Sequence, residues 1–278
     1  MEVNFRDVPI EAVRKFWDAR PCNIRHSTKA VGERDYFDEV EARKYFVEPH
    51  IPGFARFADW KGKRVLEIGC GIGTDTINFA RAGAYVTAVD LSERSLEIAR
   101  GRAEVLGIHN IRFLHANVEC LRTVLEPEPY DLVYSFGVIH HTPDPEAALL
   151  EIHNYLKPGG TLKLMVYHRY SWKVFAVLVR YGGCAFWDLD RVIARHSEAQ
   201  TGCPVTYTYS RRTLRDMLER NGYDVEDLSV EHIFPWRISE YVEYRYQKVW
   251  YFRVLPKAVF RWLERRLGWH LCAIARTR

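Results

Sequence analysis

Val65-Leu66-Glu67-Ile68-Gly69-Cys70-Gly71-Ile72-Gly73-Thr74 joins an apolar run to a helical one through three glycines at alternate positions. Glycine there permits positive φ and lets a ligand lie against bare backbone. A helix N-terminus following such a turn presents free N–H groups and a partial positive charge. Seventeen residues past Gly73 a second apolar run ends at Asp90. In a nucleotide-binding α/β unit an acid at that place accepts hydrogen bonds from the ribose hydroxyls. Glycine turns also arise for packing alone. A strand before, a helix after and the acid at this distance favour a nucleotide.

Outward from this turn, short β-branched runs alternate with helical stretches, which predicts a mostly parallel sheet covered by helices. The strands are expected at Arg64 to Ile68, Tyr85 to Val89, Ile111 to Leu114, Leu132 to Ser135 and Thr161 to Val166. The helices between them are expected at Thr74 to Arg81, Ser92 to Leu106 and Pro145 to Leu156. Pro158-Gly159-Gly160 reads as the turn into the fifth strand. Residues 1–60 read as a helical N-terminal segment, with apolar positions at helical spacing over Val8 to Trp17 and Tyr36 to Val47. Residues 61–167 form the predicted core. A helical insertion at 168–209 follows, with a loop around Gly202-Cys203-Pro204. In 210–278 a helix capped by Ser210 runs to about Asn221. A sixth strand covers Val225 to Val230, a helical pair broken at Pro256 occupies 237–267, and a last strand runs from Trp269 to Ala275.

The 278 residues suit one large domain with appended elements. Hydrophobic residues at 47% and charged residues at 27% exclude a wholly disordered chain. The formal net charge of +4 is too small to argue for nucleic acid. The six cysteines, at 22, 70, 120, 184, 203 and 272, form no Cys-x-x-Cys pair. The start, Met1 to Asp7, has no apolar signal-peptide core, and the apolar run Phe175 to Val179 is far short of the ~20 residues of a membrane span. The expected setting is a reducing cytoplasm with free thiols.

The dinucleotide fingerprint is Gly-x-Gly-x-x-Gly, and here the third glycine comes one residue early. No lysine follows as in a phosphate-cradling loop. Glu67, at the strand end, would repel a diphosphate and pair with an ammonium group. The ligand implied is a nucleoside with an amino-bearing tail, which describes S-adenosylmethionine. The stretch Glu67 to Gly73 resembles the first motif of class I S-adenosylmethionine-dependent methyltransferases, and Asp90 matches the acid ending their second strand. Ala116-Asn117-Val118-Glu119 is similar to their adenine-contacting turn, with Asn117 in place of the usual Asp. Tyr130 to His141 resembles the fourth-strand motif, and Leu156-Lys157-Pro158-Gly159-Gly160 the turn before the fifth strand.

The resemblance implies a Rossmann-like α/β fold: a seven-stranded, mostly parallel sheet, helices on both faces and the last strand antiparallel. It implies that Glu67, Gly69, Cys70, Gly71 and Gly73 surround the methionine end, with Asp90 on the ribose and Leu91 against the adenine. Asn117 and Val118 would read the adenine edge, and Phe136 would sit near the sulfonium. The reaction implied is methyl transfer with release of S-adenosylhomocysteine. Catalysis of this kind is largely orientation, and a base is needed only for a protonated acceptor. Candidate bases are His141 first, then His140, Tyr167 and His168. Each also has a bland reading: the histidine pair bonding the turn backbone, the other two capping a helix. Arg25, His26, Tyr36 and Tyr45 read as a lid over the cofactor or as a solvated helix face.

After the fourth strand stands Ser135-Phe136-Gly137-Val138, not the Asn/Asp-Pro-Pro-Tyr/Phe tetrapeptide of exocyclic base methylation. A small-molecule acceptor is therefore expected. Aromatic residues suited to roof it, or simply to pack a helical layer, are Tyr170, Trp172, Phe175, Phe186, Trp187, Trp236, Tyr241, Tyr244, Tyr246, Trp250, Tyr251 and Phe252. Residues 245–266 carry seven Lys or Arg against Glu264, interleaved with Trp250, Phe252, Phe260 and Trp262. That pattern suits peripheral contact with an anionic membrane, or a helix with its apolar face on the sheet. The alternatives kept open are a lipid or quinone acceptor, an RNA or protein methyltransferase, and a non-catalytic S-adenosylmethionine binder. A nicotinamide oxidoreductase is disfavoured by Glu67. The spacing of His, Asp and Glu predicts no metal.

Overall fold

A computed structural model describes residues 5–181, 189–196 and 202–278. Cys184, Phe186, Trp187 and the first four residues, about which expectations were stated above, lie outside the described residues.

Seven strands form one sheet in the order β3-β2-β1-β4-β5-β7-β6. They are β1 (Arg64–Ile68), β2 (Tyr85–Asp90), β3 (Ile111–His115), β4 (Tyr130–Phe136), β5 (Leu156–Tyr167), β6 (Tyr223–Glu231) and β7 (His270–Thr277). The first five pair in parallel, and β7 runs antiparallel to both β5 and β6. The expected seven-stranded sheet is thus present. Strand order reverses between β1 and β4, and in open α/β sheets the ligand crevice lies outside the carboxyl ends of the strands at that reversal.

The helices are α1 (Ile10–Ala19), α2 (Arg34–Val47), α3 (Ile51–Ala55), α4 (Thr74–Arg81), α5 (Glu93–Val105) and α6 (Pro145–His153). They continue with α7 (Trp172–Tyr181), α8 (Leu189–His196), α9 (Arg211–Arg220), α10 (Ile238–Tyr241), α11 (Trp250–Arg253) and α12 (Lys257–Leu267). Local chemistry starts several of them. Ser92 accepts from the Ser95 N–H at the head of α5, and Asp144 from Ala147 N–H at α6, where Pro145 fills the first position. Ser210 and Thr213 form a reciprocal capping box on α9, the start expected there.

Side chains alternate across a strand, so β1 feeds two cores. Leu66 and Ile68 join Val133, Leu162 and Leu164 on one face. Val65 joins Phe79, Leu132 and Tyr134 on the other. Pro158-Gly159-Gly160 differs from the simple turn expected. Tyr130 pairs with Leu156 and Leu132 with Thr161, so four residues of β5 lie opposite one of β4. The turn is a bulge held inside a strand, with Gly159 at φ +70°.

The N-terminal segment is tied to the 237–267 insertion. The buried Arg43 guanidinium lies over the rings of Tyr241 and Tyr244 at 4.3 and 3.9 Å and donates to the Tyr241 carbonyl at 2.6 Å. Tyr244 donates to the Arg25 carbonyl at 2.8 Å. Tyr36 is buried with Phe37, Val40, Ile72 and Ile98. The solvated-face reading of Tyr36 therefore gives way: its ring packs on the core side of α2, because Ile72 and Ile98 present an apolar surface there.

Candidate functional site

A cavity of about 1170 Å³ opens along the carboxyl edge of the sheet at the β1/β4 reversal. One end is built by the glycine turn, Asp90, Leu91 and Ala116 to Val118. The other is built by Phe136, His141, Tyr167, Trp172, Trp269 and His270. Ile10, Val13, Trp17 and His26 from the N-terminal segment and Trp236 and Tyr241 from the insertion close its remaining sides.

The three glycines do three different things. A Cβ on Gly69 would meet Val138 Cγ2 at 2.1 Å, and one on Gly73 would meet Ala99 Cβ at 3.0 Å. Those two positions serve close packing at positive φ. A Cβ on Gly71, also at positive φ, would meet nothing within 4 Å and would project into the cavity. Gly71 alone is bare for a ligand's sake, and Gly73 does not line the cavity.

Asp90 lines it. Its Oδ2 accepts from Gly71 N–H at 2.7 Å and its Oδ1 from Ser92 N–H at 2.8 Å. Burial pushes its pKa up against those two bonds. The carboxylate is thereby fixed at the strand end, with lone pairs left over for a hydroxyl pair. Leu91, Asn117 and Val118 also line the cavity. Asn117 Oδ1 accepts from Glu119 N–H at 3.1 Å, so its amide NH₂ is the freer half toward a base edge.

Glu67 is placed differently from the expectation. It is buried beneath the turn and does not line the cavity. Its carboxylate accepts from the Thr76 hydroxyl at 2.5 Å, because odd-numbered β1 residues face α4. Burial, reinforced by Asp75, raises its pKa to about 8. The charge that does reach this end is Lys44, whose ammonium pairs with Asp75 at 2.7 Å and which lines the cavity. Burial works against the Lys44 charge, and Asp75 outweighs it, so its pKa lies above the ordinary value. Tyr45 and Tyr134 donate to the same carboxylate at 2.9 and 3.0 Å. The lysine was missed in the sequence because it lies thirty-one residues before its partner Asp75. Cys70 lines the cavity, and its burial holds the thiol protonated.

The candidate bases separate. His141 lines the cavity, with Nδ1 2.7 Å from the Val205 carbonyl. A carbonyl only accepts, so Nδ1 carries the proton and the neutral ring has its lone pair on Nε2. Trp17 lies against this ring, centroids 5.3 Å apart. Tyr167 also lines the cavity, its ring between His140 at 3.8 Å and Trp269 at 3.9 Å. His140 is fully buried beneath Tyr167 and does not reach the cavity, and burial keeps it neutral. His168 turns away to bond the Gly268 carbonyl at 3.1 Å. The structure thus brings His141 and Tyr167 to the cavity and leaves His140 and His168 behind its wall.

Cys70, Cys120 and Cys272 are free thiols. Among the described residues no helix is long and apolar enough to cross a membrane.

A family model described as a methyltransferase domain matches residues 59–197, half of the chain. A ubiquinone biosynthesis O-methyltransferase of Dinoroseobacter shibae is 38% identical over 190 residues, covering 64% of this chain and 71% of that protein. One from Neisseria meningitidis serogroup C is 39% identical over 104 residues, and the match covers 37% of this chain and 43% of that protein. The fold is shared with a Synechocystis magnesium protoporphyrin IX methyltransferase solved with bound S-adenosylhomocysteine. There the TM-score is 0.61 at 17% identity, covering 97% of this chain and 100% of that one. It is shared as well with an S-adenosylmethionine-dependent methyltransferase of Mesorhizobium loti, with TM-score 0.55 at 21% identity over 82% of this chain and 97% of that one. With this sheet order, this glycine turn and these relatives, the chain belongs to the class I S-adenosylmethionine-dependent methyltransferases.

Proposed function

We propose that this chain methylates a small-molecule acceptor held between Phe136, His141, Tyr167 and Trp269, releasing S-adenosylhomocysteine. The observation that carries the reading is the continuity of the cavity. One volume runs from the Gly71–Asp90 turn to an aromatic chamber. S-adenosylmethionine, when bound, supplies a methyl group already activated on a sulfonium. The residues present fit it. Gly71 leaves room, Asp90 is held by two backbone N–H groups for the ribose, and Asn117 and Val118 stand at the adenine end. Lys44, which the sequence reading did not single out, supplies a cation for the methionine carboxylate. Leu91, Gly69 and Cys70 shape the walls.

The chain's own contribution is orientation and desolvation. Trp17 and the N-terminal segment cap the cavity, and the aromatic walls hold a flat acceptor. His141 Nε2 takes the proton of a hydroxyl acceptor while Val205 fixes the ring. Relatives named as O-methyltransferases of ubiquinone biosynthesis support a phenolic oxygen as the acceptor atom. Calorimetric titration with S-adenosylhomocysteine, with NADH as control, tests the cofactor. A screen of phenolic acceptors with labelled methyl donor tests the rest. Binding of NADH alone would overturn the reading.

A second reading concerns location. Trp250, Val254 and Trp262 are 66%, 68% and 54% exposed beside the exposed Arg253, Lys257, Arg261, Arg265 and Arg266. An aromatic and basic surface of this kind suits an anionic bilayer, where Trp sits at the headgroup level. Co-sedimentation with phosphatidylglycerol vesicles, lost when Lys257, Arg261 and Arg265 are neutralised, is the expected result. Equal pelleting of both proteins would refute it.

A further inference from the structure

Glu48, His232 and His270 come from the end of α2, the residue after β6 and the first residue of β7. All three line the acceptor end of the cavity. One ligand atom from each lies within 4.8 Å of the others. His270 Nε2 is 3.5 Å from Glu48 Oε1. Ligand atoms about 2.1 Å from a tetrahedral ion are about 3.4 Å apart, so this pair is already at ligand spacing. The His232 ring completes the set from within 4.8 Å of both.

Behind the triad, His50 Nε2 lies 3.0 Å from His270 Nδ1. With the proton of that bond on His270 Nδ1, its Nε2 lone pair points to the Glu48 side. This is the supporting hydrogen bond that metal-ligating histidines make almost always. Burial lowers the pKa of His232 to about 3 and that of His50 to about 4, and holds His270 well below its ordinary value. His232 is also held at φ +68°. A non-glycine residue in this region costs about 1–3 kcal/mol and is kept where the surroundings impose it, often at functional sites. Two cations oppose an ion here: Lys173, whose ammonium is drawn over the Trp269 ring at 4.3 Å, and Lys44, which lies near His50 and Glu48 and is paired with Asp75 at 2.7 Å.

We propose that Glu48, His232 and His270 bind one divalent ion of the zinc type, with His50 as the positioning residue and an open coordination position facing the cavity. Two histidines and one carboxylate with an open position are a zinc set that takes water or a substrate oxygen. His270 lies edge-on to Phe136, ring centroids 5.5 Å apart. The ion would thus hold an oxygen of the acceptor beside the residue expected nearest the methyl group. That acceptor role rests on the methyl-transfer reading above; the metal site does not.

The test uses the full chain stripped with chelator and titrated with Co²⁺, reading the visible d–d bands, with Zn²⁺ as competitor. One Co²⁺ per chain, displaced by Zn²⁺, is expected. His232→Ala and His270→Ala should weaken Co²⁺ binding by more than tenfold, and Glu48→Gln, which keeps the side-chain volume, should do likewise. His50→Ala should weaken binding about 10–100-fold while keeping the bands. Titration with S-adenosylhomocysteine reports the fold of each variant. Absent bands in the wild type, or bands unchanged in Glu48→Gln and both ligand-histidine variants, overturn the site. Metal bands that behave as expected in a chain that binds no S-adenosylhomocysteine would keep the site and remove the methyl-transfer reading.

Discussion

Gly69→Ala and Gly71→Ala differ by two positions in one turn and should fail in opposite ways. Both place an alanine at positive φ, at +74° and +54°, which costs about 1–2 kcal/mol. At Gly71 nothing else is added, since its Cβ meets no atom within 4 Å. At Gly69 the Cβ falls 2.1 Å from Val138 Cγ2, an overlap that must move Val138 or the turn. Overpacking of this kind adds about 1–3 kcal/mol, for a total of about 2–5 kcal/mol. Each kcal/mol lowers Tm by roughly 2–4 °C in a chain of this size. Urea unfolding should therefore place Gly69→Ala well below Gly71→Ala. Titration with S-adenosylhomocysteine should reverse the order, with Gly71→Ala losing at least tenfold because its methyl occupies ligand space. Val138→Ala should rescue Gly69→Ala by about 1–3 kcal/mol of coupling and leave Gly71→Ala unimproved. Equal destabilisation by the two alanines, or wild-type cofactor affinity in Gly71→Ala, would refute this division of roles.

Asp90→Ala removes a carboxylate that accepts two backbone N–H bonds; at about 1.5–3 kcal/mol for a charged hydrogen bond, S-adenosylhomocysteine affinity should fall about 10–100-fold, and unchanged calorimetric affinity would sink the ribose assignment. His141→Ala should lower kcat about 10²–10⁴-fold with a phenolic acceptor and leave S-adenosylhomocysteine affinity within about twofold; an equal loss in both would make the ring a cofactor-binding group instead. Glu67→Gln reports a buried acid whose folded pKa, about 8, lies above its unfolded value. The folded chain holds the extra proton between those values, so the Glu67 contribution is complete at low pH and lost as pH rises through about 8. Urea unfolding should show Gln gaining on Glu from pH 5 to pH 9; parallel curves would contradict the raised pKa.

Most of the sheet was legible because β1 to β5 and the helices between them carry their own local patterns. The strand starting at Arg64 reads apolar on both faces, as a central parallel strand must, and Asp90 marks its neighbour's end. The direction of Glu67 was also legible in principle. Val65 and Glu67 share a face by alternation, so the acid was bound to meet α4 and not the ligand. The capping of the cavity was not legible. Arg43 meets Tyr241 across 198 residues, and His26 meets Tyr241 across 215. No local periodicity encodes either contact. The same holds for His50 and His270, 220 residues apart, which is why spacing along the chain predicted no metal cluster.

The acceptor end is a product of strand register more than of any motif. Between β5 and β7, Tyr167 pairs with His270 and Met165 with Cys272, and across β7 His270 faces Glu231. That register sets Trp269 against Tyr167 and puts His270 one residue from His232 at the open end of the sheet. A slip of one residue would turn every β7 side chain to the opposite face. His270 would leave Glu48 and Phe136, and Leu271 would enter the chamber. The antiparallel return of the last strand therefore does chemical work here: it fixes which aromatic and imidazole groups face the acceptor. It also ties the proposed metal site to the folding of the C-terminus, so variants that loosen β6–β7 pairing should lose Co²⁺ binding before they lose the Gly71–Asp90 end of the cavity.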